Sequence, residues 1–447
     1  MFRILKWLFL IALVLAVATL FGLPLLANTE AGRKQLASSL GNALGREVRI
    51  GDLSVGLLFR SVRVDGLRIS NPPGYPAVPF LEAGSIEFQI GLKQLIQGKI
   101  EGRAKGSRIH LLVQKTGGGT NLDGLGGDAR ARREKPEGER GPELDLALEL
   151  DDCDVVVEDL DRKEKVTVQG VSARFALSNR EGQSAASLGI HVASIDRGAL
   201  RMRDVDVQAV QSGDWLDLEK LKARIGDEGG ISGKGRLQVR NGDAWNVDVA
   251  ASGVRIDTQI LPIVATMFPL AGAASDQVQG SFEGNFALEG RGLTWQAAKP
   301  TLKGGGDLRL HGMGLPATSI LAQLASHVGR AQGAIQLNDA GATFTVGNGW
   351  LDFSRLSASG EEARYDLAGR ISLDGALELN LDVLPLMKRY GGGGLAKYTD
   401  KLRKLPVRIG GTTAKPKFDG LDVADVVKNL DAGSLLDDAI KRVGGGR

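Results

Sequence analysis

The stretch Tyr365–Val383, YDLAGRISLDGALELNLDV, decides the fold. Tyr365, Leu367, Ile371 and Leu373 fall two or four apart, as do Leu377, Leu379, Leu381 and Val383. Asp366, Arg370, Ser372, Glu378, Asn380 and Asp382 fill the places between. Successive side chains of a strand point to opposite faces, so each run is apolar on one side and polar on the other. Leu373-Asp374-Gly375 separates the runs, and Asp-Gly between two alternating runs predicts a hairpin.

Working outward, the same alternation recurs from about Val48 to Ile409. It runs through VRIGDLSV, VRVDGLRIS, SIEFQIGL and SRIHLLV, then LDLALEL, CDVVVEDL, VSARFAL and LGIHVASI, and later ATFTV and WLDFSRLSAS. With 62 glycines and 14 prolines, the composition suits many turns and few interrupted strands. The expected fold is therefore mostly β: an N-terminal transmembrane helix, then an elongated, curled antiparallel sheet with short helical inserts. About eighteen strands spaced by about 4.8 Å would make a sheet on the order of 85 Å long.

Five segments are expected. Residues 1–28 form a cytoplasmic tail and anchor, because Trp7–Leu26 carries no charge and Arg3 and Lys6 precede it. At about 1.5 Å per residue such a run reaches about 30 Å, and the basic flank stays inside. A cleaved signal peptide is the alternative, disfavoured by the long apolar core and by Leu25-Leu26-Ala27. Residues 29–114 hold an amphipathic helix, EAGRKQLASSLGNAL, and the first β region. Residues 115–143 read as a flexible, charged, glycine-rich loop that folding does not need. Residues 144–420 form the main β region, with helical inserts at Thr258–Ala271, at PATSILAQLASHVG and at LAKYTDKLRKL. Residues 421–447 are a short helical tail.

Several chemistries find no support. The formal charge is only +3, and no basic block interleaved with aromatics points to nucleic acid. His110, His191, His311 and His327 are scattered singly without metal-ligand spacing, and neither a phosphate loop nor a nucleophile elbow occurs. Cys153, alone in the chain, reads as a small strand residue. No catalytic residue, metal or cofactor is expected.

The positive signal is the greasy face itself. A sheet of this size cannot leave one apolar face in water, so it must stack, close, or curl into a trough that shelters apolar cargo. Aromatics at 5% leave little bulk for a wide dry core, which favours the trough. Its expected lining is Phe88, Leu146, Leu148, Phe175, Val247, Val249, Phe344, Val346, Leu377, Leu379 and Leu381.

The order of several segments resembles the AsmA family, which includes the much longer TamB-like proteins. These are LGREVRIGDLSV after the amphipathic helix, VRVDGLRISNPPGY, LEAGSIEFQIGLKQLIQGKIEG, TNLDGL, DLRLHGMGLPATSIL, the opening stretch, and LPVRIGGTTAKPKF. The resemblance covers both ends of the chain, and the middle agrees in pattern only. It implies a repeating β-groove anchored in the inner membrane of a Gram-negative cell, with the bulk in the periplasm. Its implied partners are the inner membrane and phospholipid, and its implied role is non-enzymatic lipid shielding or transfer toward the outer membrane. The alternative is a scaffold for outer-membrane or other envelope proteins acting by strand addition. A periplasmic hydrolase is a remote third.

Overall fold

The computed structural model describes residues 29–56, 61–91, 99–125, 143–180, 183–198, 200–239, 242–256, 279–315, 322, 333–360, 364–390, 404–413 and 415–419. The protein is mostly β, with twenty-one strands among these residues and only short helices. The chain divides into two compact units, Met1–Arg224 and Ile225–Arg447.

In the first unit, α1 (Glu30–Leu44) starts at Thr29, whose hydroxyl accepts from the Gly32 N–H, and stops at left-handed Gly45. Both ends are capped as the sequence suggests. Leu36, Leu40 and Leu44 lie four apart and are buried in one cluster with Val64, Ile69, Leu81 and Leu111. The strands beneath are β1 (Val48–Arg49), β2 (Asp52–Val55), β3 (Ser61–Ser70), β4 (Pro79–Ile90) and β5 (Lys99–Thr116). After the two-residue β6 (Gly119–Thr120) come β7 (Glu143–Asp159), β8 (Glu164–Arg180), β9 (Gln183–Arg197), β10 (Leu200–Ser212) and β11 (Trp215–Ile225).

One pairing departs from the expected wholly antiparallel sheet. β5 and β7 run parallel, from Lys99 opposite Glu143 to Lys115 opposite Asp159. A parallel pair needs a long crossover, and residues 117–142 supply it. This moves the ends of the expected loop 115–143, since Lys115, Thr116 and Glu143 lie in strands, while residues 126–142 lie outside the described residues. Lys115 and Thr116 belong to β5 and pair with Thr120 and Gly119. Leu125 is buried in the α1 cluster. Asn121, 0% exposed, accepts from the Gln114 N–H and donates to Leu112 O and Asn71 Oδ1, each at 2.8 Å.

A file of backbone kinks crosses this unit. Gly66, Arg108, Asp152, Gly170 and Asp204 all have φ between 51° and 66°, and lie at matching heights on β3, β5, β7, β8 and β10. At that height the apolar positions step by three rather than two: Val64 to Leu67, Gly106 to Ile109, Leu150 to Cys153, Val168 to Val171, Met202 to Val205. Each kink keeps the apolar residues on one face while bending the strand, as bulges do.

The second unit is an antiparallel succession. Its strands are β12 (Gly229–Gln238), β13 (Ala244–Arg255), β14 (Gln279–Arg291), β15 (Lys303–Leu315), β16 (Ile335–Gly347) and β17 (Trp350–Gly360). β18 (Arg364–Ser372), β19 (Leu377–Asp382), β20 (Pro406–Thr412) and β21 (Lys415–Asp419) follow. The hairpin read from the opening stretch forms as β18–β19, with Leu367 opposite Leu381 and Ile371 opposite Leu377. The Ser372 hydroxyl caps its turn by accepting from the Asp374 and Ala376 N–H groups. Large and small residues alternate across the buried face: Phe286 opposes Gly306, which opposes Phe344. The glycine lets the two rings approach to 6.3 Å between centroids, and Phe344 meets Phe353 at 6.0 Å. Two short helices, α2 (Trp295–Ala298) and α3 (Leu384–Tyr390), complete the described part.

Among the described residues no helix is long and apolar enough to cross a membrane. The run Trp7–Leu26, the Thr258–Ala271 insert, all of PATSILAQLASHVG but Ala322, LAKYTDKLR and the C-terminal tail lie outside the described residues, as does KQLIQG at Lys93–Gly98, whose sequence reads as a short helical turn or corner between strands.

Candidate functional site: a charge-free sheet face

Register places one row of side chains across seven strands of the first unit. Val62, Phe88, Ala104, Leu148, Phe175, Leu188 and Ala209 oppose one another in turn. Directly opposed residues share a face, so the row is continuous. On β7 this face carries Leu144, Leu146, Leu148, Leu150, Cys153, Val155 and Val157, and on β8 Val166, Val168, Val171, Ala173, Phe175 and Leu177. From β7 to β10 it carries no charged side chain between Leu146 and Val155 on β7 and the matching stretches Val168 to Leu177, Ala186 to Ile195 and Met202 to Ala209; it ends at Arg197, which stands opposite both Val166 and Leu200.

Burial along the face is graded. Val62 and Phe88 are closed off, in one buried cluster with the leucines of α1. Leu144, Leu146, Leu148, Phe175, Leu177 and Leu188 are only half-buried. Ile100, on β5 opposite Leu144, is 40% exposed. The open floor spans three strands, β7 to β9, about 10 Å between outer axes and roughly 20 Å along β7, and closes at Ala209 on β10, which is buried. An acyl chain reaches about 15 Å in one leaflet of a bilayer with a 30 Å hydrocarbon core, so the floor is the right size for lipid tails.

The residues read from the sequence as groove lining therefore separate into two groups. Leu146, Leu148 and Phe175 lie together on the open floor, and Val247 and Val249 are half-buried on β13 of the second unit. Phe88 belongs to the closed core under α1. Phe344, Val346, Leu377, Leu379 and Leu381 are shut into the interior of the second unit, Leu379 at 2% exposure. Strand alternation identifies the face but not whether anything covers it.

The opposite face is wet and balanced. Arg63, Glu87, Lys105, Glu149 and Arg174 oppose one another with alternating sign. Lys105 approaches Glu149 to 3.0 Å, and its hydrogen bond holds the Glu149 carboxyl below the ordinary range. The three described histidines each face an aspartate in register: His110–Asp154 at 3.2 Å, His191–Asp206 at 2.9 Å and His311–Asp339 at 2.9 Å. A cleft of about 770 Å³ on this face includes Ser172, His191 and Asp206, which lie in one row. The Ser172 hydroxyl donates to Asp151 at 3.0 Å rather than to His191, so the row lacks the nucleophile–base contact that acyl transfer needs. Among the described residues no three His, Cys, Asp or Glu side chains converge as metal ligands. Cys153 is buried, and burial, with Asp152 and Asp151 nearby, pushes its thiol up to about 11, opposite to a reactive thiol.

The periodicity that found the strands missed the kink file, although its signal is in the sequence as a step of three among steps of two. It also missed α2, whose four residues are too few for any helical period. Comparison with protein-family models, and with curated proteins, finds no match to this chain.

Proposed function

We propose that this protein is a non-enzymatic lipid-binding protein of the cell envelope, and that the open floor of β7–β9 shelters acyl chains. The observation that carries this reading is the partly exposed, charge-free face of Leu144, Leu146, Leu148, Phe175, Leu177 and Leu188. An apolar area of that size in water is unfavourable by about 25 cal/mol per Å² and calls for a partner. The uncharged run Trp7–Leu26 and the resemblance to AsmA proteins support an inner-membrane anchor and a phospholipid cargo. Strand addition fits less well. The terminal strands β1, β2 and β21 are two to five residues long, and β21 carries Lys415, Pro416 and Lys417, which discourage edge pairing.

The test is mass spectrometry of lipid co-purified with the full chain in mild detergent. Leu148→Asp should fold, because water reaches a partly exposed site, and should retain clearly less lipid than the parent. A parent chain that carries no lipid, or a folded Leu148→Asp that carries as much, would refute the proposal.

A further inference from the structure

The two most exposed large apolar side chains among the described residues stand together on the second unit. Leu293 is 76% exposed and Trp295 58%, on the projection joining β14 to β15. Val239, 40% exposed, lies on the neighbouring turn after β12. Single apolar residues on a surface are ordinary, but a cluster held outward by a rigid frame is not.

The frame is well bonded. Gly292 donates to Asp243 O at 3.0 Å, and the Trp245 indole donates to Gly292 O at 2.9 Å. The Arg291 N–H bonds Thr301 Oγ1 at 2.8 Å, which in turn donates to Ala298 O at 2.9 Å. Thr294 caps α2, and Lys299 pairs with Asp374. Gly292 has φ +88, and a Cβ there would overlap Ala297. Ala298 and Leu302 are buried at the root. Leu293 and Trp295 are thus presented to solvent by a structure that fixes them there.

Two further features identify the partner. Three of the chain's five tryptophans, Trp245, Trp295 and Trp350, lie at this one end of the strands, Trp245 opposite Gly290 and Trp350 opposite Gly347 and Ser372. Residues 291–303, RGLTWQAAKPTLK, contain Arg291, Lys299 and Lys303 and no carboxylate. Tryptophan prefers the membrane–water interface, where its ring is apolar and its N–H is wet, and flanking cations favour anionic headgroups. At this end Asp374 pairs with Lys299, and Glu378 with Arg370, whose guanidinium lies 4.4 Å from the centre of the Trp350 ring, while Glu289 stands opposite Lys303 and Asp243 on the neighbouring turn.

We propose that this end of the second unit docks on an anionic lipid bilayer, with Leu293 and Trp295 entering the headgroup–acyl boundary and Arg291 and Lys303 facing lipid phosphates. The site is distinct from the apolar floor of the first unit and does not depend on it. The test uses the full chain held in nanodiscs, so that residues 1–28 already have a bilayer if they need one. Separate vesicles of phosphatidylcholine, with or without phosphatidylglycerol and with brominated acyl chains, are then added and floated. The parent should float with the anionic vesicles and show quenched tryptophan emission. Leu293→Ser with Trp295→Ser should weaken flotation by about tenfold or more, from the apolar area withheld. Arg291→Gln with Lys303→Gln should remove the preference for phosphatidylglycerol, and Trp295→Phe should keep most of the binding. These positions are exposed, so the melting temperature should not move. A parent that fails to float, or a double serine variant that floats equally, would overturn the proposal, as would a protein partner that needs these residues in the absence of lipid. Co-purified lipid, measured on the same samples, should be the same in the double serine variant and the parent, so this docking and the floor can fail separately.

Discussion

Shortening the crossover between β5 and β7 tests the least expected feature of the fold. The Asn121 N–H bonds Gln114 O, so the chain at residue 121 stands level with Gln114. Glu143 stands level with Lys99, which is 114 − 99 = 15 residues down β5, or about 50 Å at about 3.3 Å per residue. Residues 120–125 form a turn, with the Asp123 N–H on Thr120 O and the Leu125 N–H on Leu122 O, so the reach is counted from Leu125. The chain then has 143 − 125 = 18 steps, and at about 3.3–3.6 Å each they reach about 59–65 Å at most. Deleting residues 132–134 leaves 15 steps, about 50–54 Å, which still spans the gap. Deleting residues 128–139 leaves six steps, about 20–22 Å, roughly 30 Å too short. The first deletion should melt within a degree or two of the parent, since loop-length entropy changes stability by less than about 1 kcal/mol. The second must strip several residue pairs from the Lys99–Glu143 end. Thermal unfolding of the full chain, with hydrogen exchange read at Leu144–Leu150, distinguishes the two. Parent-like melting and protection in the longer deletion would refute the parallel register.

Asn121→Ala removes three buried hydrogen bonds and should cost about 2–4 kcal/mol in denaturant unfolding; a loss below about 1 kcal/mol would mean the Asn71–Asn121–Gln114 network is dispensable. Cys153, buried and with its thiol raised to about 11, should resist alkylation at pH 8 in the folded chain and label promptly in denaturant, and fast native labelling would contradict that burial. Leu379→Asp places a charge in a closed interior and should unfold the second unit, at a cost of several kcal/mol, whereas Asn380→Asp, exposed opposite Arg408, should leave expression and melting unchanged. A folded Leu379→Asp variant would show that water reaches this interior.

The sequence by itself determined the strands, because a period of two needs only local geometry. It also determined the β18–β19 turn, through Asp374-Gly375, and the buried stripe of α1, through leucines four apart. Which side of each strand is apolar was legible in the same way, even across the kinks, where a step of three marks the bulge. The tertiary structure decided what no local pattern carries. That β7 lies parallel to β5 depends on where a long crossover returns the chain. That Leu148 is only half-buried while Leu379 is sealed depends on what lies over each. The two leucines sit in identical alternation, so their sequence environments agree. Burial is a property of the neighbours supplied by distant segments, and alternation records only the direction in which a side chain points.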